Sequence, residues 1–261
     1  MVIYCTDFSD LDVNFAKANG FGIEVVKYAY PAFADGFSEN CAQIASFIKG
    51  MSATSMHGAL NDTFYTSADP LICEVSRKRF LQSIQIAEYH SINHVVFHSA
   101  YRRLFDGHSK FAIDTFVKKS IEFWQEFEAN TPENMTIYLE NVEDENPEVF
   151  VQILEGIGRP KIRACLDIGH AHCSSYVPLY KWIDVLGSYI GHVHIHDNHG
   201  IKDQNLPISQ RDQHLPLGQG NIPLVDVINK ILDVAGTGTP FVMECDLPTS
   251  AEWLKANHFE L

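Results

Sequence analysis

Nine side chains able to hold a divalent cation stand at the ends of short apolar runs along this chain: His57, His98, Glu140, Asp167, His170, His194, Asp212, His214 and Glu244. The runs are TSMHG, HVVFHSA, TIYLENV, RACLDIGHAH, GHVHIHDN and FVMECD, with Asp212 and His214 in a later loop. A lone histidine in such a place is commonly a satisfied core residue, and His57 or His98 taken singly reads that way. Glu140 and Glu244 do not, because a carboxylate closing an apolar strand is costly without a partner. Mixed imidazole and carboxylate donors suit Zn²⁺ or Mn²⁺, less often Fe²⁺ or Co²⁺. Asp167 and His170, three residues apart at a strand end, can reach one pocket. Asp212 and His214 share one side of an extended segment, and Glu140 and Glu244 come from different strands and can bridge or bracket ions.

Strand-like and helix-like segments alternate along the whole chain. The strands are expected at 1–5, 21–27, 52–58, 94–99, 135–141, 162–168, 190–196 and 240–245, with amphipathic stretches such as 74–90 and 110–129 between them. Eight such units predict an α/β fold, a (β/α)8 TIM barrel forming one domain over residues 1–261. An open doubly wound sheet is the alternative, but no glycine-rich phosphate loop follows the first strand. In 191–196 the histidines share one face and the aliphatics the other, so Val193 and Ile195 should pack on helices while the imidazoles point inward. His192 and His196 then fill the barrel or support the ligands from behind. His90, His94, His108, His172, His199 and His258 lack such context and read as ordinary histidines. The longest irregular stretch, 197–221, is read as a functional loop ending at a helix start near Asn221, with Pro223 in its first turn. The segment after His57, 58–70, is read as a second, shorter lid.

At 261 residues, 46% hydrophobic and 20% charged, the chain has the make-up of one large globular domain. No apolar stretch approaches the roughly 20 residues a membrane helix needs, and the N-terminus lacks the basic start of a signal peptide. Six cysteines without CxxC spacing (Cys5, Cys41, Cys73, Cys165, Cys173, Cys245) read as reduced, mostly buried thiols of a cytoplasmic protein. A formal charge of −14 argues against a surface that grips a polyanion over its whole extent.

The ordered set LEN at 139–141, CLDIGHAH at 165–172, HIHDN at 194–198, DQHLPLGQGNI at 212–222 and MEC at 243–245 resembles the xylose-isomerase-like barrel superfamily over about residues 1–250. That superfamily includes sugar phosphate isomerases/epimerases and endonuclease IV. The resemblance implies one ion held by Glu140, Asp167, His194 and Glu244. By the endonuclease IV-like pattern, His57, His98 and Glu140 would hold a second ion, and His170, Asp212 and His214 a third. One to three ions per chain are thus implied.

Two chemistries follow. In the first, an ion chelates adjacent carbonyl and hydroxyl oxygens of a sugar or sugar phosphate, while Glu140 and Glu244 exchange a proton as base and acid. The epimerases resembled here usually carry an arginine in the loop after the strand-seven histidine; this chain offers Arg211 at a different spacing. Lys202 and Arg102 are the other candidate substrate cations. In the second, several ions assist hydrolysis of a phosphoester, in abasic-site DNA or a smaller molecule. No basic or aromatic-rich insertion suited to gripping and bending a duplex is present, so a small substrate is the favoured partner over nucleic acid. A non-catalytic metal-binding protein is a third class, disfavoured because open coordination at a barrel mouth is reactive. Membrane association is not expected, and oligomeric state is not readable from the residues.

Overall fold

The computed structural model describes residues 1–60, 62–103, 109–203 and 205–260; His108 therefore lies outside the described residues. Eight parallel strands close in sequence order: β1 (Val2–Thr6), β2 (Gly22–Val25), β3 (Thr54–His57), β4 (His94–His98), β5 (Thr136–Glu140), β6 (Ile162–Asp167), β7 (Ile190–Ile195) and β8 (Pro240–Met243). β8 returns to pair with β1, which closes the (β/α)8 barrel. Each boundary falls within about two residues of its expected run, because side chains alternate between barrel interior and helix-facing core along each strand.

The helices are α1 (Asp10–Asn19), α2 (Pro31–Asp35), α3 (Phe37–Ile48), α4 (Pro70–Tyr89), α5 (Lys110–Glu128), α6 (Pro147–Ile157), α7 (Ile168–Ser174), α8 (Leu179–Leu186), α9 (Ile208–Arg211), α10 (Leu224–Ala235) and α11 (Leu247–Ala256). Their starts carry recognisable caps. Ser9 and Asp12 form a capping box on α1, and Asp69, Ser109, Asn146 and Asp246 accept first-turn N–H groups of α4, α5, α6 and α11. α10 begins at Leu224 rather than near Asn221; Pro223 is its N-cap, not a first-turn residue. The 197–221 loop is less irregular than expected, since it contains α9 and an antiparallel bridge between Asp197 and Leu215.

Most of the core lies between strands and helices. Val193 and Ile195 are fully buried there as expected, and Phe80, Phe97 and Trp124 form an aromatic nucleus, with Phe80 and Phe97 centroids 4.3 Å apart. Among the described residues, Val96, Tyr138 and Cys165 form a small separate apolar cluster inside the barrel. All six cysteines are free; three are buried and three half-buried. Among the described residues no helix is long and apolar enough to cross a membrane.

Candidate metal centre

Parallel register brings the strand-end ligands to one level: His98 pairs with Glu140, and Asp167 with His194. His57 closes β3, and Glu244 follows β8 directly. Asp167 also caps α7, its Oδ1 accepting the His170 N–H at 2.6 Å, which turns His170 back over the strand ends. Asp212 and His214 arrive from the long loop. That loop is tied down where Asp197 and Leu215 exchange backbone hydrogen bonds of 2.9 and 2.8 Å. The buried Asp197 carboxylate also accepts from the N–H groups of Asn198, Gly218, Gly220 and Ile222 at 2.9–3.2 Å. A Cβ at Gly220 would lie 2.3 Å from Asp197 Oδ1, so the approach requires glycine.

The nine residues selected from the sequence converge. Glu140 is the hub: its Oε2 lies 3.1 Å from His57 Nε2 and 3.5 Å from His98 Nε2, and its Oε1 lies 3.3 Å from both His170 Nδ1 and His194 Nδ1. Among the described residues, three groups that contain these residues at the cavity have ligand atoms mutually within 4.8 Å: His57, His98 and Glu140; Glu140, Asp167 and His194; and His170, His196, Asp212 and His214, with a fourth behind them. Glu244 joins through Oε1, 3.4 Å from His194 Nδ1. A cavity of about 440 Å³ opens above them. His57, His98, Glu140, His170, Asp212, His214 and Glu244 line it together with Phe8, Val26, Tyr30, Leu60 and Val142. Asp167 and His194 lie beneath the floor, fully buried.

Buried atoms here meet at short range without making hydrogen bonds. Asp167 Oδ2, His194 Nδ1, both ring nitrogens of His196 and Asp212 Oδ1 are all shielded from solvent and lack a hydrogen-bond partner among the described residues. Yet His194 Nδ1 is 3.3 Å from Glu140, His196 Nε2 is 3.2 Å from Asp167, and His214 Nε2 is 3.2 Å from Asp212. Unsatisfied buried polar atoms are rare, and donors aimed at a common point rather than at one another fit a divalent cation. The imidazole–carboxylate donor set suits the same ion.

Electrostatics make the cluster tightly paired. Burial alone would raise the Glu140 carboxyl, but the imidazoles of His194, His98 and His170 outweigh it and hold Glu140 well below the usual range. Asp167 and Asp212 are lowered against burial by His170 together with His196 and His214 respectively. Conversely, burial disfavours imidazolium, yet Asp167 and Asp212 lift His170 well above its ordinary value, and Asp212 and Glu244 lift His214 to about 9. His98 is the exception: burial pushes it down to about 3 despite Glu140.

Other candidates lie elsewhere. Arg102 pairs with Glu143 at 3.4 Å and lies over the Phe64 ring. Lys202 Nζ donates to the carbonyls of His172, at 2.6 Å, and Ser175, at the end of α7. Arg211 ends α9, with Nε buried and without a hydrogen-bond partner among the described residues. None of the three lines the cavity.

Glu24 escaped the sequence reading, and His196, read there as filling the barrel or supporting the ligands from behind, stands among the possible ligands. His196 belongs to the outer group and stacks on His214 with centroids 3.8 Å apart. Glu24, on β2, is fully buried behind His194; its Oε2 accepts from Ser55 Oγ at 2.8 Å and from His192 Nε2 at 2.9 Å. Burial would raise Glu24, but His194 and His192 lower it. Glu24, His192 and His194 are themselves close enough to hold a cation, but the two hydrogen bonds on Oε2 mark this as a proton-filled cluster. The signal for Glu24 was present in Gly22-Ile23-Glu24-Val25, where a carboxylate interrupts an apolar strand, as Glu140 closes one.

A sequence profile described as the xylose isomerase-like TIM barrel matches residues 14–257. An uncharacterized protein of Methanocaldococcus jannaschii is 30% identical over 93 residues, which cover 35% of this chain and 29% of that relative's length. Among solved structures, a D-tagatose 3-epimerase-like protein superposes with a TM-score of 0.72 at 20% identity, covering 98% of this chain and 97% of its own. The IolI protein, solved with a zinc atom, gives a TM-score of 0.73 at 17% identity, covering 96% of this chain and 91% of its own.

Proposed function

Because the chain belongs to the xylose isomerase-like TIM barrel family, we propose that it is a divalent-metal-dependent isomerase or epimerase of a sugar or sugar phosphate, with zinc or manganese as the ion. The observation that carries this reading is the convergence of Glu140 and Glu244 on His194 Nδ1, at 3.3 and 3.4 Å, at the base of a cavity of about 440 Å³. Glu140, Asp167, His194 and Glu244 would hold the central ion. When bound, such an ion polarises a neighbouring carbonyl and hydroxyl and so acidifies the C–H between them.

The chain's own groups supply the proton transfer. Glu140, kept ionised by its imidazole neighbours, would take the proton from carbon as the base. Glu244, from the neighbourhood of the opposite barrel strand, returns a proton to the other face or to the adjacent carbon. Phe8 and Tyr30, exposed at the mouth, and Val26, Leu60 and Val142 form an apolar wall against the C–H face of a sugar and help exclude water.

The test is incorporation of solvent deuterium into carbon across a panel of ketoses and ketose phosphates. Exchange by the metal-loaded protein, abolished by chelation and by Glu244→Gln, is the expected result. A second reading, metal-assisted phosphoester hydrolysis, draws on the two further ligand groups, His57 and His98 with Glu140, and His170 with Asp212 and His214. Absence of exchange with every sugar, together with chelator-sensitive cleavage of a phosphodiester, would select it instead.

A further inference from the structure

We infer that Glu24 is a positioning residue of the metal centre, fixing the His194 imidazole with Nε2 protonated and Nδ1 turned to the ion. The two ring nitrogens of His194 face different surroundings. Nδ1 looks up at Glu140 and Glu244 at 3.3 and 3.4 Å, whereas Nε2 looks down at Glu24 Oε1 at 3.0 Å. That lower contact lies off the ideal hydrogen-bond line, but both atoms are buried and neither has a hydrogen-bond partner among the described residues. Buried polar atoms left so are costly, and each is the other's available partner. Glu24 cannot easily move away, because Ser55 Oγ and His192 Nε2 anchor its second oxygen at 2.8 and 2.9 Å.

The other ligand histidines show why this matters. His57 Nδ1 rests on the Gly58 carbonyl at 2.9 Å, His170 Nδ1 on Asn141 at 3.1 Å, and His214 Nδ1 on Glu244 at 2.9 Å. Those partners are neutral backbone oxygens. Of these four, His194 is the one whose far nitrogen has a carboxylate as its nearest partner, at 3.0 Å in a fully buried setting where the charge is poorly screened; at His170 Nδ1 the carboxylates of Glu140 and Asp167 lie farther than the backbone oxygen, at 3.3 and 3.4 Å. A carboxylate accepting the far N–H of a ligand imidazole orients the ring and makes the near nitrogen a stronger donor. The ion at His194 should therefore bind tightest, and Glu24 should set that preference.

This inference rests on the reading of the site as a metal centre. Metal-free protein is titrated with zinc against a chromophoric chelator, comparing wild type with Glu24→Gln, which keeps shape and an acceptor oxygen but removes the charge. The tightest constant should weaken about 10- to 100-fold, with weaker constants unchanged. Nitrogen-15 NMR of zinc-loaded wild type supplies a check that needs no variant and should find His194 protonated at Nε2. Wild-type affinity in a folded Glu24→Gln protein, or His194 protonated at Nδ1, would overturn the role of Glu24. If wild type binds no zinc, the metal-centre reading itself fails.

Discussion

Substituting Asp7 by asparagine should change the slope of stability against pH. Asp7 is fully buried just after β1; its Oδ1 accepts from Val26 N–H at 2.6 Å and Lys27 N–H at 3.2 Å, and Oδ2 has no hydrogen-bond partner among the described residues. Burial is the dominant influence and raises the carboxyl from 3.8 to about 7, against the two backbone hydrogen bonds. Between those values the folded protein keeps a proton that the unfolded chain has lost, so this group's contribution to stability falls as pH rises from about 4 to about 7 and is level beyond. Each tenfold change in proton affinity is worth about 1.4 kcal/mol, which makes the total about 4 kcal/mol. Asp7→Asn retains the acceptor for Val26 and Lys27 and cannot ionise. Its amide N–H₂ replaces an oxygen without a partner, an offset of about 1–3 kcal/mol that is the same at every pH. Urea unfolding of metal-free wild type and variant across about pH 4 to 8 should therefore show the variant gaining on wild type by about 4 kcal/mol. Asp144, also raised to about 7, is common to both proteins and cancels in the difference. A wild-type-minus-variant difference that is flat with pH would refute the reasoning.

Two further outcomes follow from the site. Glu140→Gln weakens the carboxylate shared by two ligand groups; bound metal, by elemental analysis, should fall, and deuterium exchange should drop by about 10²- to 10⁴-fold. Gly169→Ala places a Cβ 2.1–2.5 Å from the His196 ring. It should cost about 1–3 kcal/mol in thermal unfolding and weaken zinc binding at the group containing His170, His196, Asp212 and His214, seen by chelator competition.

The barrel was legible in the residues because its alternation is repeated eight times, and the strand-end position of each ligand follows from that repeat. Glu140 and Asp167 were conspicuous as acids beside apolar neighbours, and Glu24 sat in the same pattern without a nearby histidine in the sequence to draw attention. Its partners, His192 and His194, are about 170 positions away along the chain, and only barrel closure brings them together. His196 was hard to assign for a related reason: alternation put it inside, but its place beside His214 depends on how the long loop lies back over the strand ends. Lys202 and Arg102 illustrate the limit of charge counting. Their heads are engaged by the end of α7 and by Glu143, contacts that residue spacing does not encode.

The N–H groups gathered by Asp197 tie the start of the long loop, at Asn198, to its end, at Gly218, Gly220 and Ile222, and make it a flap beside the barrel rather than part of its wall. Asp212 and His214 ride on that flap, whereas His57, His98, Glu140, Asp167 and His194 are strand residues. Were the site to hold the proposed ions, a descendant could redesign or discard that flap and lose two donors of the outer group while the strand-borne donors stayed in place.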